Sequence, residues 1–154
     1  MAPASAFALG NALALGAWLA LAVSLFWPAP RQWLWRITGL ALPAVFGVAY
    51  VWLIRQGFSE APEGGFGSLE AVRALFASDA ALAAGWLHYL AFDLFVGTAI
   101  ARLGLRAGVP GWLLLPCLAL TFLFGPAGLL LFLILKVITG RVRGREGSHE
   151  HAHP

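Results

Sequence analysis

The chain has 154 residues, of which 60% are hydrophobic and 11% charged, with a mean hydropathy of +0.82. Soluble domains carry about 25% charged residues, so the composition lies outside the globular range and points to an integral membrane protein. The net charge of +3 and pI near 9.8 owe much to Lys136, Arg141, Arg143 and Arg145; with no basic stripe interleaved with exposed aromatics, no nucleic-acid partner is expected.

A crossing needs about 20 mostly apolar residues. The first candidate, residues 7–27, contains no charge. No Lys or Arg precedes it, so it lacks a signal-peptide n-region and reads as an uncleaved helix, ended by Pro28-Ala29-Pro30. Arg31, Gln32, Trp33, Trp35 and Arg36 then suit an interfacial turn, because Trp and Arg each join an apolar body to a polar tip. The second run, residues 37–54, carries Gly39, Pro43 and Gly47 every four residues on one face. That spacing predicts a helix–helix contact with a proline bend, within the chain or between two copies of it as a homodimer.

Residues 56–78 turn polar, with Glu60, Pro62, Glu63 and a run of glycines. Within them a short amphipathic helix is predicted, capped by Ser68 and presenting Leu69, Val72, Leu75 and Phe76 on one side. The third run covers residues 80–101 and the fourth residues 112–137, the latter interrupted by Pro116 and by Gly125-Pro126. The fold class expected is therefore all-α and polytopic: a four-helix transmembrane domain over residues 1–138, then a basic, His-containing tail, 139–154, expected to be disordered. Four crossings place both termini on one side, with Arg55, Arg73, Lys136, Arg141, Arg143 and Arg145 against Arg31, Arg36, Arg102 and Arg106 on the other. This margin favours cytoplasmic termini. The single cysteine, Cys117, lies in an apolar run, reads as a buried hydrophobe and excludes an internal disulfide or a Cys-based zinc cage.

Six of the seven acidic residues lie in loops, at helix edges or in the tail; the exception is Asp93, near the middle of the third run, with His88 five residues before it. An ionisable group at that depth costs about 2.5–3.5 kcal/mol on insertion scales, so it demands a reason. Five positions turn an α-helix by about 140°, so a direct His–Asp hydrogen bond is not expected, although both could border one cavity. Two readings stand: each side chain fixes packing by bonding to a neighbouring helix, or together they form a functional site. In the fourth run, Pro126 lacks an amide hydrogen and frees the carbonyl of Phe122; Thr121 lies near enough to help satisfy the break. A bend there, facing the third helix, would complete a pocket, and a simple kink is the other reading. His149, His151 and His153 alternate along the tail, where metal binding would be weak and adventitious, so neither a metal site nor a cofactor is implied.

The third and fourth runs resemble a known family. Gly85-Trp86-Leu87-His88-Tyr89-Leu90-Ala91-Phe92-Asp93-Leu94-Phe95-Val96-Gly97 is similar to the W-x-H-x-x-x-x-D-L-F signature of the abscisic-acid-deficient-four-like family, and residues 116–130, with Gly125-Pro126-Ala127-Gly128, are similar to its final helix. The resemblance implies a four-helix membrane fold linked, in plants, to neoxanthin synthesis. That reaction opens an epoxide while a proton leaves the neighbouring carbon, and so needs an acid and a base. By the same resemblance His88 and Asp93 are the catalytic candidates, with Trp86, Tyr89, Phe92, Phe95, Thr121 and Pro126 around an isoprenoid ligand. The places after DLFVG where many bacterial relatives carry Arg and acidic residues hold Thr98, Ile100 and Leu103 here. The Arg bias and the Ala/Gly richness suggest a bacterial inner-membrane protein, for which the plant substrate does not transfer. The functions expected are isomerase-type chemistry on, or binding of, a carotenoid-like isoprenoid; the alternative is a non-catalytic module for pigment, lipid or a partner protein. Membrane lipids are the remaining expected partners.

Overall fold

The fold is given by a computed structural model that describes residues 2–150, with side chains up to residue 139. The described residues form helices joined by short loops, with no strand among them: α1 Pro3–Ser24, α2 Arg31–Arg36, a π-helical turn Ile37–Ala41, α3 Leu42–Glu60, α4 Leu69–Leu75, α5 Asp79–Arg106, α6 Gly111–Phe124 and α7 Pro126–Glu150. Three stretches are long and apolar enough to cross a membrane: Pro3–Ser24, Arg31–Glu60 and Asp79–Arg106. His151 and His153 of the tail lie outside the described residues.

The expected interfacial turn is helical and continuous with the second run. Pro43 explains its irregularity. The pyrrolidine ring clashes with the carbonyl four residues back, at Gly39, and the widened π turn over Ile37–Ala41 accommodates it. Arg31 folds back across the preceding loop, its Nε donating to the Ser24 carbonyl at 2.7 Å and its terminal nitrogen to the Leu25 carbonyl at 3.0 Å. Trp35 Nε1 donates to Ser24 Oγ at 3.0 Å. The carbonyls at the end of α1 thus gain a cation as partner, as a helix C-terminus favours.

α5 is the central element, packed by α1, α3 and α6, and the core follows its small and aliphatic residues, among them Ala84, Leu87, Leu94 and Ala101. Thr98 Oγ1 donates to Thr38 Oγ1 at 2.8 Å, with both residues buried. An interhelical bond of this kind contributes about 0.6 kcal/mol in a membrane bundle. Gly39 makes the approach possible, since a Cβ there would stand 2.8 Å from the Thr98 methyl. At Gly47, by contrast, a Cβ would meet nothing within 4 Å, so the predicted small-residue face is a tight contact at one end only. At the other end of the bundle Ser68 caps α4 as expected, accepting from the Ala71 amide at 3.1 Å. Leu75 is fully buried on the predicted face while Leu69 is exposed. Ser78 caps α5 and donates to Glu60 Oε2 at 2.5 Å, tying the end of α3 to the start of α5.

The fourth run differs most from expectation. The bend or kink expected at Gly125-Pro126 is a full reversal: the chain turns back at Gly125, and α7 packs back along α6. A Cβ on Gly128 would fall on the Cys117 carbonyl and on the Thr121 amide and hydroxyl, a proximity no continuous helix allows, because eleven residues of α-helix rise about 16 Å. Phe132, one turn beyond Gly128, is buried as well. Neither α6 nor the apolar part of α7, Pro126–Thr139, reaches the length of the other three apolar stretches.

Candidate functional site

The two sides of α5 present different chemistry. His88 faces α3. Its ring stacks on Phe92 with centroids 4.5 Å apart, and Tyr50 lies 5.6 Å away across the helix interface. Together with Pro43, Gly47, Ala91 and Phe95 these residues line a groove of about 550 Å³. The sequence makes the groove locally: Gly47 and Ala91 remove bulk where the two helices face each other, while Pro43, Phe92 and Phe95 supply apolar walls. Phe92 and Phe95 are 60% and 55% exposed, so the groove opens sideways from the bundle. Its size lies within the roughly 300–1,000 Å³ of small-molecule sites.

Asp93 faces the reversal. A Cβ on Gly125 would stand 2.9 Å from its Oδ1 and 3.0 Å from its Oδ2. Gly125 has φ +47°, a backbone region that L side chains rarely adopt, so both its conformation and the approach of Asp93 require glycine there. The carboxyl thus abuts the turn that joins α6 to α7, directly before Pro126. The Phe122 carbonyl is freed as the sequence predicts, but its partner is Tyr89, whose hydroxyl donates to it at 3.2 Å. Asp93 Oδ2 is buried without a hydrogen-bond partner among the described residues. An unsatisfied buried polar atom costs about 1–3 kcal/mol, which calls for an explanation at a specific site.

The structure divides the residues singled out in the sequence. His88, Phe92 and Phe95 come together in the groove. Asp93, Tyr89 and Pro126 gather at the reversal, on a different side of α5. Trp86 belongs with α1: its Nε1 donates to Asn11 Oδ1 at 2.8 Å and its ring lies 5.5 Å from Phe7. Thr121 is fully buried and donates to the Cys117 carbonyl at 2.8 Å, in the wall of the hairpin rather than toward open space. The expected site between the third and fourth runs is therefore a packed polar contact, and the open groove lies between the second and third. Sequence reading missed Pro43, Gly47, Tyr50 and Ala91 as groove residues. Tyr50 was accessible to it, since it extends the Gly39-Pro43-Gly47 stripe by one turn and adds a hydroxyl. Asn11, the polar interruption of the first apolar run, was the corresponding signal for the α1 contact. Among the described residues no group of three or more His, Cys, Asp or Glu side chains is arranged to hold a metal.

These features define an all-helical bundle with three helices of membrane-crossing length, a lateral apolar groove carrying one imidazole, and a carboxyl set against a broken helical hairpin. The chain belongs to the ABA DEFICIENT 4-like family, whose model matches residues 5–132. The match takes in both sides of α5 and the reversal. No curated protein and no solved structure matches the chain.

Proposed function

We propose that this is an integral membrane protein that binds an apolar, carotenoid-like isoprenoid in the groove between α3 and α5. The observation that carries the reading is the groove itself: apolar, open toward the side where lipid would lie, and holding a single imidazole among aromatic rings. An isoprenoid chain entering from the bilayer crosses no polar barrier, and burial of its apolar surface is matched by close packing against Tyr50, Phe92 and Phe95. His88 is the one imidazole among the residues that line it. The family, related to carotenoid and neoxanthin formation, supports the ligand class.

A second reading, isomerase-type acid–base chemistry, is favoured by Asp93 Oδ2, a buried carboxyl oxygen with no partner. In that reading His88 and Asp93 act on one ligand, which must then reach from the groove around α5 to the reversal. Purification of the full chain, solvent extraction and mass spectrometry test both readings. A copurifying isoprenoid supports binding, and its conversion on incubation, lost in Asp93→Asn, supports the reaction. Extracts that hold no isoprenoid contradict both.

A further inference from the structure

One end of the bundle is strongly basic. Gln32, Trp35, Arg36, Gly39, Arg102 and Arg106 surround a cavity of about 290 Å³. The Arg102 guanidinium stands 5.9 Å from the Trp35 ring centroid and that of Arg36 stands 5.0 Å from Trp33. Stacking of this kind holds the cations in place and leaves their N–H donors open. No carboxylate forms an ion pair with them among the described residues: Glu60, Glu63, Glu70 and Asp79 all lie at the opposite end, and Asp93 lies at the centre of α5. Three arginines around one cavity are complementary to an anion with several acceptor oxygens. Leu40 also lines the cavity, Ile37 and Leu103 adjoin Arg36 and Arg102 in the chain, and the three are 70%, 45% and 46% exposed, so apolar surface lies beside the cations. We propose that this pocket binds the phosphate headgroup of an anionic phospholipid, whose acyl chains run over Ile37, Leu40 and Leu103.

The test uses the full chain in neutral-detergent micelles, probed with phosphatidylglycerol and with phosphatidylcholine, and read by native mass spectrometry. The wild type should retain phosphatidylglycerol in preference, and Arg102→Gln/Arg106→Gln should lose about 25-fold in that retention, each arginine near an anionic surface contributing about a fivefold factor. Arg55→Gln/Arg73→Gln, at the other end, should retain it fully. Unchanged retention in Arg102→Gln/Arg106→Gln overturns the site. Equal competition by glycerol phosphate alone also overturns it, since the site would then be one for a soluble phosphate. Should the double variant not fold, the wild type decides: its preference should fall as salt is raised, and a salt-independent preference contradicts the proposal.

The reversal at Gly125 carries a second, independent inference. Asp93 is the fifteenth of the 28 residues of α5, and the hairpin tip touches it, so the tip lies at the middle of a crossing helix. From Pro126 to Lys136 an α-helix rises about 15 Å, half of the roughly 30 Å hydrocarbon layer. We infer that α6 and α7 form a re-entrant hairpin that leaves the bilayer on the side it entered. Lys136 and the following Arg141, Arg143 and Arg145 then join Arg31, Arg36, Arg102 and Arg106, so that eight of the ten Lys and Arg residues share one side. Only Arg55 and Arg73 remain on the other. This asymmetry places the C-terminus in the cytoplasm and the N-terminus across the membrane. Membrane-impermeant thiol labelling of intact bacterial cells expressing the full chain tests it, with the native Cys117, which is buried, as the blank. Ala2→Cys should label in intact cells and Ser148→Cys only after lysis. Identical behaviour of the two positions restores an even number of crossings and overturns the inference; the reverse pattern overturns the orientation.

Discussion

On the His88 side of α5, the small residues Gly47 and Ala91 leave a lateral groove within its otherwise close contact with α3; at the reversal that Asp93 faces, the chain is packed so closely that two glycines, Gly125 and Gly128, have no room for a side chain. The same helix thus offers an adaptable apolar surface in one direction and a fixed polar contact in the other. The difference shows that a polar residue at mid-helix does not by itself mark the ligand seat. Asp93 abuts irregular backbone at Gly125, whose freed Phe122 carbonyl is taken by Tyr89, whereas the groove is made by what is missing at Gly47 and Ala91.

The comparison breaks most completely at Gly128. A Gly128→Leu variant should yield no folded protein by detergent size-exclusion chromatography, because its Cβ would fall on the Cys117 carbonyl and the Thr121 amide. Backbone cannot move aside as a side chain can, so the cost exceeds the about 1–3 kcal/mol of ordinary overpacking. Tyr89→Phe should lower stability by about 1–3 kcal/mol, the penalty for leaving the Phe122 carbonyl unsatisfied, in steric-trapping or denaturant unfolding. The same variant should leave isoprenoid binding in the groove unchanged, since Tyr89 lies on the other side. Trp86→Phe should cost about 1 kcal/mol through loss of the bond to Asn11, again with binding retained. A loss of ligand in either variant would mean that the two sides of α5 are not separate.

The three helices long and apolar enough to cross a membrane were legible because apolar length is a property of composition; α5 was placed to within one residue at its start and ended five residues short. Capping at Ser68 was legible for a similar reason, since its partner is three residues away. The freed Phe122 carbonyl also followed from Pro126 alone, but its partner did not: Tyr89 is 33 positions distant, and local reasoning reached only as far as Thr121. The reversal was not legible at all. An apolar run interrupted by Gly-Pro has the same hydropathy whether it bends or turns back, and only the fit of Gly128 against Cys117 and Thr121 distinguishes the two. That single geometric fact moves the C-terminal arginines from one side of the proposed membrane to the other. The groove was hidden for a related reason. Glycine at helical spacing reads as close packing, and Gly39 obeys that rule while Gly47 leaves a space.

Gly47→Phe gives the most direct test of the central claim, that the groove between α3 and α5 is the ligand seat. A Cβ at this position meets nothing within 4 Å and Gly47 lines the groove, so the added ring occupies groove space, and replacing a helical glycine removes a cost of up to about 1 kcal/mol. The full chain and this variant are purified in parallel, the bound isoprenoid is extracted and quantified by mass spectrometry, and the unfolding midpoint is measured on the same samples. The account predicts at least a tenfold loss of ligand, about 1.4 kcal/mol or more, with the midpoint unchanged or raised. Wild-type ligand content in a folded Gly47→Phe protein would contradict it.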